Sequence, residues 1–283
     1  MSVIPPSFFQ DINSVNSLKN VIALTHSTIK NKVYIEKGLY PVSAPSEGAG
    51  CLVICDNTTV VLNGTIQMEP NSFQGCKVIE IRGNNVLLKG HGTIIGDKDT
   101  HRGSLGEWGM GISVLKSKNA RVFGLTVKNC WGDCVYIGEK SQMIVIEECT
   151  LDNARRQGIS ITSANNVKIR NNTISHIAGT LPEYGIDIEP DPGEFCVNVI
   201  VDRVSISYCK GGILSWGGAP GAFVEGITIK SCKFNGIERI PFRFDQCSSV
   251  TVKDCEFKGI QQDELFKLLF VTDFVEKRNK RYY

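Results

Sequence analysis

The run Tyr184-Gly185-Ile186-Asp187-Ile188-Glu189 places a phenol just ahead of two carboxylates that stand two residues apart. Apolar residues alternate with Asp187 and Glu189, so both carboxylates point to one face of a strand, about 6.5 Å apart by strand rise. An Asp in mid-strand is disfavoured unless something there requires it. Two carboxylates within reach of one bond can act as general acid and as base or nucleophile, the chemistry of glycoside cleavage. Crowding raises the proton affinity of one of them, which makes it the acid. Asp133 is a further acid/base candidate. Arg155, Arg156, Gln157, Trp216, Arg243 and Asp245 complete a set of charged and aromatic side chains suited to binding an extended glycan: rings stack on sugar faces, and charged groups meet hydroxyls or uronates.

These residues come together only if the chain repeats. Eight segments end on an apolar residue after a run of period-two alternation: Ile66, Ile94, Val127, Leu151, Ile174, Ile206, Phe234 and Phe257, spaced 23 to 33 residues apart. Alternation of this period marks strands, and the gaps are too short for crossover helices. The arrangement expected is an all-β fold: one right-handed parallel β-helix of about eight or nine coils, with longer insertions at one place on the coil. Each unit holds a second strand, as in Gly111-Ile-Ser-Val114, Cys134-Val-Tyr-Ile137, Gly158-Ile-Ser-Ile161, Gly185-Ile-Asp-Ile188, Gly212-Ile-Leu-Ser215 and Pro241-Phe-Arg-Phe244.

With the inward positions fixed, the outward columns follow. One reads Ser113, Tyr136, Ser160, Asp187, Leu214, Arg243. The next reads Leu115, Gly138, Thr162, Glu189, Trp216, Asp245. Stacking at about 4.8 Å per coil puts the backbones of Asp133 and Asp187 roughly 10 Å apart. The opposite wall is expected from the insertions 177–183 and 216–223. Residues 1–30 are expected to hold a capping helix over 11–29, residues 31–260 the β-helix, and residues 261–283 a closing cap with a solvated basic tail. The 11 cysteines follow the repeat: Cys149, Cys232 and Cys255 stand two before their segment ends, Cys130 and Cys209 three after. They read as reduced core thiols, small apolar fillers that suit a reducing compartment of synthesis.

Composition narrows the function. The net charge of +2 makes nucleic acid no default partner. No stretch of apolar residues is long enough for a membrane span. The start, Met1 to Pro6, has no basic n-region or apolar h-region, so no signal peptide is read there; synthesis in the cytosol is expected, followed by a role on a virion or outside the cell. No metal and no cofactor is expected. The alternative for Asp187, Glu189 and Asp191 is a set of oxygen ligands for Ca²⁺. His91, between two glycines, reads as a tight turn.

Val33-Tyr-Ile-Glu-Lys-Gly-Leu-Tyr-Pro-Val42, followed by Leu88-Lys-Gly-His-Gly-Thr-Ile-Ile-Gly-Asp97, resembles the opening of the pectate-lyase-like superfamily, and the resemblance runs over roughly residues 30–260. Gly132-Asp133-Cys134-Val135-Tyr136-Ile137 and Arg156-Gln157-Gly158-Ile159-Ser160-Ile161-Thr162-Ser163 are similar to two strands of polygalacturonases, which implies an acid/base role for Asp133; Gly132, Gln157 and Met110 stand where that branch has Asp, His and Asp. Tyr184 to Glu189 is similar to the Tyr-Gly-Phe-Asp-Pro-His motif of alginate C5-epimerases, with Glu189 in place of His. Phage tailspikes, β-helices that act on bacterial surface polysaccharide, are the third resemblance and imply a homotrimer. Three readings follow: tailspike-like cleavage of a bacterial surface or acidic polysaccharide by Asp187 with Glu189 or Asp133; lyase or epimerase action on a uronate with Tyr184 as base; and a glycan-binding or structural virion protein without catalysis.

Overall fold

The computed structural model describes residues 31–282. Within them the period-two segments become 29 short strands and no helix. The strands form three parallel sheets, two of ten strands and one of nine, wound as a β-solenoid of about nine turns. In every sheet each strand pairs with the equivalent strand of the next coil. The inward positions stack into apolar ladders: Ile112, Val135, Ile159, Ile186, Ile213 and Phe242 are all fully buried in one. Each such side chain contributes about 1.5–3 kcal/mol through burial.

The corner before one sheet explains why so many repeats begin on Asn. Asn57, Asn85, Asn119, Asn166 and Asn198 all turn through the left-handed region, with φ between 56° and 60°. Asn tolerates that conformation better than most residues. The side chains also bond to one another along the axis: Asn119 Nδ2 donates to Asn85 Oδ1 at 2.9 Å, and Asn85 Nδ2 to Asn57 Oδ1 at 3.1 Å. All 11 cysteines are buried, as expected of core fillers. His91 is exposed at a turn opened by Gly90, whose φ is 138°.

The C-terminal segment differs from expectation. In place of a closing cap and a solvated tail, residues 261–282 build one more coil. Phe266–Leu269, Thr272–Lys277 and Lys280–Tyr282 pair in parallel with Phe242–Asp245, Cys247–Lys253 and Glu256–Lys258. Phe266 and Phe274 continue the inward ladders. The basic run is spent on the coil itself: Arg278 pairs with Asp254 at 2.6 Å, and Arg281 Nη1 donates to the Asp263 carbonyl at 2.6 Å. The capping helix expected over 11–29 lies outside the described residues.

Candidate functional site

The nine-stranded sheet carries the candidate site on its outer face. Its strands include Trp108–Leu115, Val135–Gly138, Ile159–Ile161, Tyr184–Ile188, Gly211–Trp216 and Phe242–Asp245. Tyr136, Ser160, Asp187, Leu214 and Arg243 are successive register partners, and Trp216 pairs with Asp245, so the outward columns lie where the alternation put them. A groove of about 540 Å³ opens over them. Arg156, Ser160, Asp187 and Glu189 form its floor; Glu107, Trp108, Asp191 and Trp216 stand around it. A hollow of about 340 Å³ continues it past Arg156, Glu189 and Trp216 to Leu181, Pro182 and Arg243.

The floor is a connected polar unit. Asp187 is buried, and its Oδ2 accepts a 2.8 Å hydrogen bond from Gln157 Nε2. Gln157 is held by its other end, where Oε1 accepts the Tyr184 backbone N–H at 2.8 Å. The Asp187 Oδ1 receives no donor. Asp133 lies fully buried behind the floor; its Oδ2 accepts the Ser160 hydroxyl at 2.7 Å and faces Arg156 Nη1 at 3.7 Å. Arg156 Nε lies 3.1 Å from Glu107 Oε2.

This setting sorts the carboxyls. Burial first, and then the negative charge of Glu189, holds the Asp187 carboxyl well above its ordinary range, with Arg156 pulling the other way. Burial raises Asp133 to about 6 against the opposing effects of Arg156, the Ser160 hydroxyl and the Gln157 backbone. For Arg156, burial disfavours the charge, but Asp133, Asp187, Glu107 and Glu189 outweigh it and the guanidinium stays firmly protonated.

A raised Asp133 is also a stability device with a defined sign. The folded protein holds this proton more tightly than the unfolded chain does. Its contribution is complete below the ordinary carboxylate value and is lost as pH rises through about 6. Asp133→Asn removes the ionisation. Urea unfolding is expected to show the stability difference moving in the variant's favour by roughly 2–3 kcal/mol between about pH 4 and about pH 7. A difference that does not change with pH would contradict this.

Not every candidate reaches the groove. Gln157 and Asp133 are fully buried. Tyr184 is buried with its ring against Gly211, where an added Cβ would stand 2.4 Å from the ring; burial raises its pKa. Asp245 lies 3.7 Å from Arg243 at the groove's far end. Among the described residues no group of three or more His, Cys, Asp or Glu is arranged to hold a metal ion.

Arg155 is placed elsewhere. Its guanidinium stacks 3.7 Å over Trp131 and donates to the Gly106 carbonyl at 2.9 and 3.0 Å. On Trp131 also lies His101, with ring centroids 3.9 Å apart, itself bonded to Asp97 at 2.7 Å. Trp131 Nε1 donates to the Leu105 carbonyl at 3.3 Å. Together they clamp the connection that delivers Glu107 and Trp108 to the groove. Neither of those two was singled out from sequence; the signal available was the 33-residue step ending at Val127, the longest in the chain. Arg155→Ala is expected to cost about 1–2 kcal/mol from the lost cation–π and hydrogen-bond contacts. It should also raise acrylamide quenching of Trp131, read in a Trp108→Phe, Trp216→Phe background; unchanged quenching would show that the clamp does not depend on Arg155.

Three parallel sheets, stacked apolar ladders and a polar groove on one sheet define a right-handed parallel β-helix of the pectate-lyase-like superfamily. The family described as right handed beta helix region matches residues 46–190, 145 of the 283 residues, and the protein belongs to it. Two curated proteins of Bacillus subtilis (strain 168) are similar: the SPbeta prophage-derived uncharacterized protein YorA, 26% identical over 219 residues, and the uncharacterized protein YclG, 26% identical over 207 residues. The alignments cover 63% and 62% of this chain, and 37% and 35% of those proteins, so the match extends over about a third of the relatives' length. Among solved structures, the A-module of the Azotobacter vinelandii mannuronan C-5 epimerase AlgE6 superposes with a TM-score of 0.75 at 15% identity, over 94% of this chain and 72% of that one. A tailspike protein of E. coli bacteriophage HK620 superposes with a TM-score of 0.68 at 14% identity, over 96% and 53%. At these identities the likeness is one of fold.

Proposed function

We propose that the protein binds an extended polysaccharide along this groove and hydrolyses it, with Asp187 as general acid and Glu189 as the second carboxylate. The observation that carries this reading is the pairing of a buried carboxyl, held well above its ordinary pKa, with a second carboxylate on the floor of a groove walled by two tryptophans. Burial and the charge of Glu189 let Asp187 keep its proton to higher pH than an exposed carboxyl, and it can give that proton to a leaving oxygen. The two residues are i, i+2 on one strand line, nearer the ~5–5.5 Å carboxyl separation of retaining enzymes than the wider spacing of inverting ones. Gln157 orients Asp187, and Asp133 with Ser160 braces Arg156 beneath the floor.

Tyr184 is a weak choice for the base of a uronate lyase or epimerase, because it is buried, packed on Gly211 and made less acidic by that burial. The tailspike and epimerase folds, together with a prophage-derived relative, support a glycan as ligand and placement on a phage particle, with a trimer as the assembly. The test is a panel of bacterial surface polysaccharides assayed for new reducing ends and for absorbance from unsaturated uronates. New reducing ends without that absorbance support hydrolysis. Unsaturated ends would move the reaction to elimination. Saturable binding without products would leave a glycan-binding protein.

A further inference from the structure

We infer that the groove selects polysaccharide repeats that carry no carboxylate, and that Glu107 and Asp191 are the residues that turn uronate-rich chains away; this rests on reading the groove as a glycan site. The charges that face the groove are unbalanced. Glu107, Glu189 and Asp191 line it beside the protonated Asp187, and Arg156 is the cation among the same lining residues. That guanidinium is already shared, lying 3.1 Å from Glu107 and 3.7 Å from Asp133. Arg243, in the adjoining hollow, is matched by Asp245 at 3.7 Å. Each arginine already faces a protein carboxylate, so its positive charge is partly neutralised before a ligand arrives.

A uronate entering this groove would meet acidic groups inside protein walls, where like charges repel more strongly than in open water. Sugar hydroxyls meet the opposite situation, since ionised carboxylates accept hydrogen bonds and donate none. The remaining walls suit uncharged rings. Trp108 leaves 55% of its surface exposed at one end, and Trp216, Pro190 and Pro220 present apolar faces around the rest. Glu107 arrives on the clamped connection, and Asp191 on the turn that follows Tyr184–Ile188. Both flank the Asp187–Glu189 pair, so they bear on which sugars settle there.

The experiment uses the full chain and matched polymers. Acidic bacterial polysaccharides are presented on an array in native form and after chemical reduction of their carboxyl groups, beside polysaccharides that are uncharged to begin with, and binding is titrated at low salt. Uncharged repeats are expected to bind, and reduced polymers to bind on the order of tenfold more tightly than their native forms. That ratio should shrink as salt screens the repulsion, and shrink again in Glu107→Gln, Asp191→Asn. Tighter binding of native uronate polymers, or an unchanged ratio in the double variant, overturns the inference while leaving the glycan-cleaving reading intact. Failure to bind any polysaccharide overturns that reading, and the inference with it.

Discussion

Asp187→Asn is expected to lower polysaccharide cleavage by about 10³-fold while leaving glycan affinity nearly unchanged. The substitution keeps the shape of the side chain. Gln157 Nε2 can still donate to the remaining oxygen, so the floor holds its geometry. What is lost is the proton that Asp187 retains through burial and the neighbouring charge of Glu189. Initial rates of reducing-end formation, set beside binding isotherms for the same polymer, check this. A variant with wild-type rates would remove Asp187 from the chemistry. The wild-type rate should fall as pH rises through the Asp187 pKa, because the acid is then spent.

The largest effect on stability is expected far from Asp187 in sequence, at Phe242. This side chain is fully buried and meets four other rings: Phe234 at 4.8 Å, Phe266 at 5.1 Å, Phe244 at 5.6 Å and Phe257 at 5.7 Å between centroids. It ties the last two coils of the ladder to the body of the solenoid. Phe242→Ala should cost about 3–5 kcal/mol, from lost transfer energy and the cavity left behind. Repeat folds are held by neighbour-to-neighbour interfaces, so unfolding should begin at the C-terminal coil. Urea unfolding with limited proteolysis reads both effects: a lower midpoint, and early cuts in the coil that ends at Tyr282. Phe270→Ala is the control, since that ring is 84% exposed and should matter little. Equal losses for the two variants would contradict the account.

Much of this was legible in the sequence because strand geometry is so regular. Once Ile186 and Ile188 are inward, Asp187 must be outward, and a coil of about two dozen residues aligns it with Ser160 and Leu214. The cysteines and phenylalanines obey the same rule. The rule weakens where the chain leaves the strands. Arg155 and Arg156 are adjacent and were assigned together, but at a turn neighbouring side chains part company: Arg156 enters the groove and Arg155 locks onto Trp131. Glu107 and Trp108 escaped notice because an insertion of irregular length delivers them. Gln157 and Asp133 were placed in the right patch at the wrong depth, since a column of residues does not say which of them the others cover. The C-terminal basic run looked like a tail because charge dominates its composition; it lies across the end of Thr272–Lys277 and the start of Lys280–Tyr282, and pairing with the preceding coil puts both in sheets.

The central claim is that Asp187 and Glu189 cleave a glycosidic bond in this groove. The most direct measurement is proton NMR of a polysaccharide that the protein binds, recorded from the first minutes of incubation. The account predicts a new reducing end that first appears with the anomeric configuration of the bond that was cut, as expected of closely spaced carboxylates. Vinyl signals of an unsaturated uronate, epimerised sugars in an uncut chain, or a spectrum unchanged over long incubation would contradict it.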